Sequence, residues 1–116
     1  MKVLERQVGD VTLLDLQGRL VLDEEDVLRS RLSELVDQGR RKVLLNLRDL
    51  TYIDSCGVGV IISKFVSMRR SGGDLKLLNL TPRVEHVLEI CGLLDILETF
   101  DLEDRAITSF TARQGV

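Results

Sequence analysis

The sequence predicts a single α/β domain built on a mixed β-sheet. From residue 43 onward, strand-like apolar runs alternate with helical periodicities, which indicates parallel strands joined by crossover helices. Near the N-terminus, the turn-forming pair Gly9-Asp10 separates two strand-like runs, which indicates an antiparallel hairpin. We therefore expect an antiparallel N-terminal hairpin plus parallel strands, with about four helices mainly on one face.

The hairpin strands are predicted over Val3–Val8 and Val11–Leu16. Gly18 is expected to end the second strand, and residues 19–22 are expected to stay extended.

The first helix is predicted to begin at Asp23, whose carboxylate can cap it. The next three residues are acidic, and the helix dipole favours anions in the first turn. Gly39 is expected to end the helix, and three cations follow near the negative end of the dipole. The predicted apolar face consists of Leu28, Leu32, Leu35 and Val36, and the cations are Arg40, Arg41 and Lys42.

The central strand and the second helix follow. Val43–Leu47 is almost continuously apolar, which is typical of a strand covered on both faces. The second helix is predicted over Ser55–Arg70, and the Gly-rich segment 71–74 is expected to end it. Its predicted inner face consists of Val58, Ile61, Ile62 and Phe65.

The next strand is predicted over Leu75–Leu80, and Thr81 is expected to cap a third helix with Pro82 at its first position. That helix is expected to end at Gly92. Its predicted buried face consists of Val84, Val87, Leu88 and Cys91.

The C-terminal region is predicted to contain a short strand, Leu97–Phe100, and a final helix from a cap at Asp101 through Ile107. We expect one domain over residues 1–110 and a flexible tail over residues 111–116. A domain of this length buries roughly two-thirds of its unfolded surface, so one core is sufficient.

Composition excludes several function classes. The net charge of -3 and the 3 % aromatic content provide neither a cationic footprint nor stacking platforms for nucleic acid. No apolar run is long enough to cross a bilayer, and the charged N-terminus is unlike a signal peptide, so a cytoplasmic location with reduced thiols is expected. Cys56 and Cys91 stand apart without metal-ligand spacing, and no cofactor is expected.

The segment from Tyr52 to Val60 carries the candidate site. It lies between a buried strand and a helix, where α/β proteins place their sites. Asp54 can cap the helix, which places Ser55 in its first turn near unpaired N–H groups. Gly57 and Gly59 weaken the helix, which indicates that a neighbouring element or a partner protein approaches the backbone closely. A purely structural N-capped helix explains the same pattern.

Catalytic and ligand-binding alternatives find less support in the sequence. The pair Gly57 and Gly59 lacks the third glycine of GxGxxG and the lysine of a P-loop. His86, the single histidine, lies off the apolar stripe of its helix, so it makes a weak catalytic pair with Ser55 or Cys56. Asp54 opposes thiolate formation at Cys56.

Asp54-Ser55-Cys56-Gly57-Val58-Gly59 resembles the Asp-Ser-(Ser/Thr)-Gly-(Leu/Val)-Gly signature of STAS-domain anti-sigma-factor antagonists. The similarity extends over nearly the whole chain. Residues 43–50 resemble the family's strand and loop before the serine, residues 72–77 its turn into the next strand, and residues 88–96 the end of its third helix.

The resemblance implies a regulatory binding module without catalytic activity. In that family, the unphosphorylated protein binds an anti-sigma factor that is also a serine kinase, and so frees the sigma factor. The kinase phosphorylates the serine after the motif aspartate, here Ser55, and a PP2C-type phosphatase restores binding. The partner surface implied by the motif is Asp54, Ser55, Cys56, Gly57, Val58 and Gly59.

Two positions depart from the family pattern. Cys56 replaces a Ser or Thr, which leaves the phosphate acceptor unchanged. Val21 stands where the family often has an acid that lies near the serine, which bears on the identity of the kinase.

Two other functions stay open. One is a STAS subunit of a lipid-transport ATPase assembly or of a chemosensory or stress complex, without a phospho-switch. The other is a hydrolase that uses Ser55. A weak dimer is also left open.

Overall fold

The computed structural model describes residues 1–112 and contains a five-stranded sheet in the order β1-β2-β3-β4-β5. The strands are β1 (Lys2–Val8), β2 (Val11–Leu20), β3 (Lys42–Ile53), β4 (Asp74–Leu78) and β5 (Thr99–Phe100). The helices are α1 (Asp26–Asp37), α2 (Ser55–Arg70), α3 (Pro82–Ile90) and α4 (Glu103–Ala112). None of the helices within these residues is long and apolar enough to span a membrane.

The predicted mixed sheet is confirmed. β1 and β2 form an antiparallel hairpin, and all other neighbouring strands are parallel. The prediction that Gly18 ends the second strand is wrong, because β2 continues to Leu20 through two register shifts against β3. β3 also exceeds its predicted length and reaches Ile53, so residues 48–53 are strand and not loop.

Two apolar cores lie on opposite faces of the sheet, and three of the four helices share one face as predicted. Because side chains alternate along a strand, successive residues of β3 enter different cores. The larger core joins α1, α2 and α3 to one face, and includes Leu28, Leu32, Val58, Ile61, Val84 and Leu88. The smaller core places Ala106 and Phe110 of α4 against Val11, Leu13, Leu44 and Leu78.

The predicted helix cap at Asp23 is wrong. Asp23 has a positive φ of 75° within a turn in which the Glu24 amide donates to the Val21 carbonyl at 3.0 Å. The turn delays α1 until Asp26, so Asp26 is the acidic residue of its first turn. The N-cap position falls to Glu25, whose side chain makes no capping hydrogen bond.

The C-terminal half follows the predicted order, but β4 ends at Leu78 and not Leu80, β5 begins at Thr99 and not Leu97, and α4 begins at Glu103, so Asp101 is not its cap. Thr81 caps α3 as expected, because its hydroxyl accepts the Val84 amide at 3.3 Å. Cys91, however, is exposed and not buried, since α3 ends at Ile90 and the apolar stripe ends with it. The last helix extends beyond Ile107 to Ala112, so the expected tail begins inside α4, and its residues 113–116 lie outside the described residues.

The first turn of α2 packs directly against the end of β2. A Cβ atom on Gly57 would lie 2.3 Å from the Leu20 carbonyl oxygen and 2.9 Å from a side-chain carbon of Ile53. Only a residue without a side chain allows α2 to approach this closely. The next glycine of the helix, Gly59, has no atom within 4 Å of the equivalent position.

Alanine substitutions at these two glycines should therefore have opposite effects on stability. Gly57→Ala must displace the backbone of β2, and we expect it to lower the free energy of unfolding by about 1–3 kcal/mol. Gly59→Ala meets open space in a helix, and we expect it to raise stability by up to about 1 kcal/mol. Urea denaturation of both variants measures the contrast, and equal destabilisation by the two would contradict the assigned packing.

Candidate functional site

The candidate site lies at the C-terminal ends of the parallel strands. Leu20 at the end of β2 is paired with Ile53 at the end of β3. This register places the turn over residues 21–25, which follows β2, beside the start of α2, which follows β3 after the single residue Asp54. The site thus combines two chain segments that are more than 25 residues apart in sequence.

Asp54 ties the two segments together. One of its carboxylate oxygens accepts the Gly57 amide at 3.0 Å, which is the predicted helix cap, and the other accepts the Leu22 amide at 3.1 Å. Its own amide donates to the Leu20 carbonyl at 3.2 Å. The Gly57 and Leu22 amides lower the pKa of Asp54, because both hydrogen bonds favour the ionised carboxylate. The cap therefore stays anionic at neutral pH.

Ser55 occupies the first helical position and is exposed. Within residues 1–112 its hydroxyl makes no hydrogen bond, while neighbouring Asp54 makes several. The hydroxyl is therefore accessible to a protein that docks at this end of the sheet. A first-turn position also offers an added anion the favourable end of the helix dipole.

Cys56 is half-buried beside the cap. Burial raises the pKa of its thiol, and the charges of Asp54, Glu25 and Asp23 raise it further. A raised pKa keeps the sulfur protonated, which disfavours a nucleophilic or redox role. Arg29, which forms an ion pair with Glu25 at 3.3 Å, acts on the thiol in the opposite direction.

The remaining motif residues divide into inward and outward groups. Gly57 is buried against Leu20, and Val58 is part of the larger core. Both contribute by positioning the turn. Gly59 is exposed with open space above it, so among the glycines of the motif it is the one that a partner can approach.

Two exposed apolar side chains lie on the segments that meet at the site. Tyr52 belongs to the segment that the sequence predicts as the candidate site, whereas Leu22 lies outside it. Leu22 is 59 % exposed on the turn that contacts Asp54, and Tyr52 is 39 % exposed three residues before Ser55. The Arg83 guanidinium lies 4.6 Å from the centre of the Tyr52 ring, and thus connects α3 to the site. Hydrophobicity alone could not reveal Leu22, because an apolar residue in a short extended segment is usually read as core.

His86 is exposed on α3 and makes no hydrogen bond with Ser55 or Cys56. Among the residues that the structure describes, no group of three or more His, Cys, Asp or Glu side chains could hold a metal ion.

Comparison with known proteins identifies the family of the chain. The family model "STAS domain" matches residues 2–106. The anti-sigma-B factor antagonist of Bacillus subtilis is 35 % identical over 85 residues, which are 73 % of this chain and 77 % of that protein. The anti-sigma F factor antagonist of Paenibacillus polymyxa is 28 % identical over 99 residues, which are 84 % and 85 % of the two chains.

Structural comparison finds the same fold in SpoIIAA of Bacillus. Its unphosphorylated form superposes with a TM-score of 0.74 at 20 % identity, over 99 % of this chain and all of that chain. Its phosphorylated form also superposes with a TM-score of 0.74, at 24 % identity, over 93 % and 98 % of the two chains. From the matched residues and the shared fold, the chain belongs to the STAS domain family.

Proposed function

We propose that this chain is an anti-sigma-factor antagonist whose binding to its partner is switched off by phosphorylation of Ser55. The observation that carries the proposal is the exposed Ser55 hydroxyl at the first position of a helix capped by Asp54. Relatives named as antagonists of anti-sigma-B and anti-sigma F factors support the regulatory role. The two forms of SpoIIAA support a phosphorylation switch in a protein of this fold.

The partner surface of the proposal is the outward part of the motif and its apolar neighbours. Leu22, whose amide donates to Asp54, and Tyr52, near the end of β3, offer exposed apolar area, and Gly59 lets a partner approach the helix backbone. The partner is an anti-sigma factor with serine-kinase activity, and a PP2C-type phosphatase restores binding. Such an encounter takes place in the cytoplasm and involves no catalysis by this chain.

Electrostatics explains how the switch can act without refolding. A phosphoryl group adds about -1.5 to -2 charges at neutral pH. The Asp54 carboxylate beside Ser55 is ionised, and Asp23, Glu24 and Glu25 lie in the turn that is bonded to it through the Leu22 amide. The helix N-terminus can accommodate the added group. A partner surface complementary to the unmodified turn would then face an additional, desolvated charge.

The second candidate function is a STAS subunit of another complex, in which Ser55 has no phosphorylation role. Val21 favours it, because this position lacks the acid that antagonists often have near the serine. Against it, the turn over residues 21–25 carries Asp23, Glu24 and Glu25 and is joined to the start of α2 by the hydrogen bond from the Leu22 amide to Asp54. The phosphorylation experiment below separates the two.

Ser55 should be the residue that a cognate kinase modifies. Incubation with the kinase and labelled ATP should label the wild-type protein and leave Ser55→Ala unlabelled, because the substitution removes the exposed hydroxyl. Ser63→Ala is the matched control, since Ser63 is an exposed serine on the same helix, and it should be labelled normally. Label on Ser63, Ser67 or Ser71 instead would contradict the assignment.

The thiol of Cys56 should be dispensable. Ser is nearly isosteric with Cys, and the raised pKa of Cys56 keeps the thiol neutral. We expect Cys56→Ser to bind the anti-sigma factor and to be phosphorylated within a few-fold of wild type, as measured by calorimetry and by rates of label incorporation. Loss of both activities would show that the sulfur has a role of its own.

Ser55→Asp should separate folding from binding. The dipole favours the new carboxylate by about 0.3–1 kcal/mol, and repulsion from Asp54 is of similar size, so the melting temperature should change little. A desolvated, unpaired charge at the interface costs several kcal/mol, so partner affinity should fall at least tenfold.

Thermal melting, titration calorimetry and partner pull-down test both parts of this prediction. Ser63→Asp is the control, because it adds the same charge two turns further along α2. A Ser55→Asp protein with a much lower melting temperature than wild type would identify Ser55 as a structural cap residue. Unchanged binding by a normally folded variant would refute the electrostatic switch.

A further inference from the structure

An open, basic recess lies at the end of the sheet opposite Ser55. It is formed between the β1–β2 turn and the loop that connects α1 to β3, and it has a volume of about 450 Å³. Volumes of this order are typical of small-molecule sites. The lining residues are Gln7, Gly9, Asp10, Gly39, Arg40, Arg41 and Lys42.

The recess is cationic in a chain that is anionic. Three cations and one carboxylate, Asp10, line it, so its formal charge is +2, whereas the whole chain carries -3. Cations are often found near the C-terminus of a helix, where the helix dipole stabilises them. That interaction contributes only about 0.3–1 kcal/mol to stability, and it falls off within one turn. Complementing the dipole of α1 therefore does not account for three consecutive positive residues.

The three cations differ in how many hydrogen bonds and ion pairs they form within the protein. Lys42 donates to Asp10 at 2.6 Å and is 14 % exposed. Arg41 donates to the Ser71 carbonyl, which uses only part of its five N–H donors. Arg40 is exposed, and its guanidinium makes no hydrogen bond or ion pair with any residue from 1 to 112. Positive charge is thus available on the wall of the recess.

The space in front of these side chains is open. Gly9 and Gly39 both have positive φ, and a Cβ atom on either would meet nothing within 4 Å. The two turns therefore frame the recess with backbone alone, and no side chain of residues 1–111 fills it at these points.

We propose that this recess binds a phosphate-bearing anion, either a free phosphate ester or a phospholipid headgroup. A doubly charged phosphate matches the surplus of two positive charges. The planar guanidinium of Arg40 can bind two phosphate oxygens at once, and the Lys42 ammonium can donate to a third while it keeps Asp10. The site is independent of Ser55, because it uses other loops at the other end of the strands.

Amide chemical shifts of the full chain test the proposal. Titration with glycerol phosphate should shift the amides of residues 9–10 and 39–42 saturably, and sedimentation with vesicles containing phosphatidic acid tests the lipid source. Binding to the soluble ester alone assigns a free ligand, and binding to vesicles assigns a headgroup. No saturable shift and no sedimentation would overturn the proposal.

Charge-reversal variants separate a built site from general electrostatics. Arg40→Glu should weaken binding at least tenfold without a change in melting temperature, since Arg40 is exposed and unpaired. Arg48→Glu is the matched control: Arg48 is also exposed, and it lies six residues along β3 from Lys42, about 20 Å from that end of the recess. It should bind within twofold of wild type. Equal losses in both variants would contradict a specific site, and Ser55→Asp should bind the phosphate normally.

Discussion

The closeness of α2 to the end of β2 is the constraint on which the candidate site depends. Gly57 lies so near the Leu20 carbonyl that no side chain fits between them. Asp54 holds the same junction by polar contacts, because its carboxylate accepts one amide from α2 and one from the turn after β2. Ser55 lies between these two attachments. Its exposure and orientation are therefore fixed by rigid backbone on both sides, as a recognition site requires.

The two ends of the sheet differ in charge because the topology sorts the loops. In the parallel part of the sheet, the loops that follow the strands all lie at one end of the sheet, and the loops that precede them all lie at the opposite end. The acidic turn over residues 21–25 and Asp54 lie at the end where the strands finish. The cations that follow Gly39 lie at the end where the strands begin. A partner that docks at Ser55 and an anion that binds near Arg40 would thus use separate surfaces of one small domain.

The wrong prediction at Asp23 and the difference between Gly57 and Gly59 depend on contacts between segments distant in sequence, whereas the wrong prediction at Cys91 depends on where its own helix ends. Asp23 looks like a helix cap by local preference, but the Leu22 amide is bonded to Asp54, and the chain turns once more before α1 begins. Cys91 continues an apolar periodicity, yet the helix ends before it and leaves the sulfur exposed. Gly57 and Gly59 are alike in sequence, and only the position of Leu20 makes one a packing requirement and leaves the other accessible.

The sequence by itself determined the order of elements, the mixed sheet, the bounds of α2, and the Asp54 cap with Ser55 beside it. These features follow from local periodicity, turn chemistry and capping, which act over a few residues. The tertiary structure alone decided that the turn with the exposed Leu22 meets the start of α2, that Gly57 packs against Leu20 while Gly59 is open, and that Arg40 lines an open recess. Those features arise where strand register and crossover connections bring segments together that are far apart in sequence. Local preferences act over a few residues and therefore cannot determine which distant segments meet.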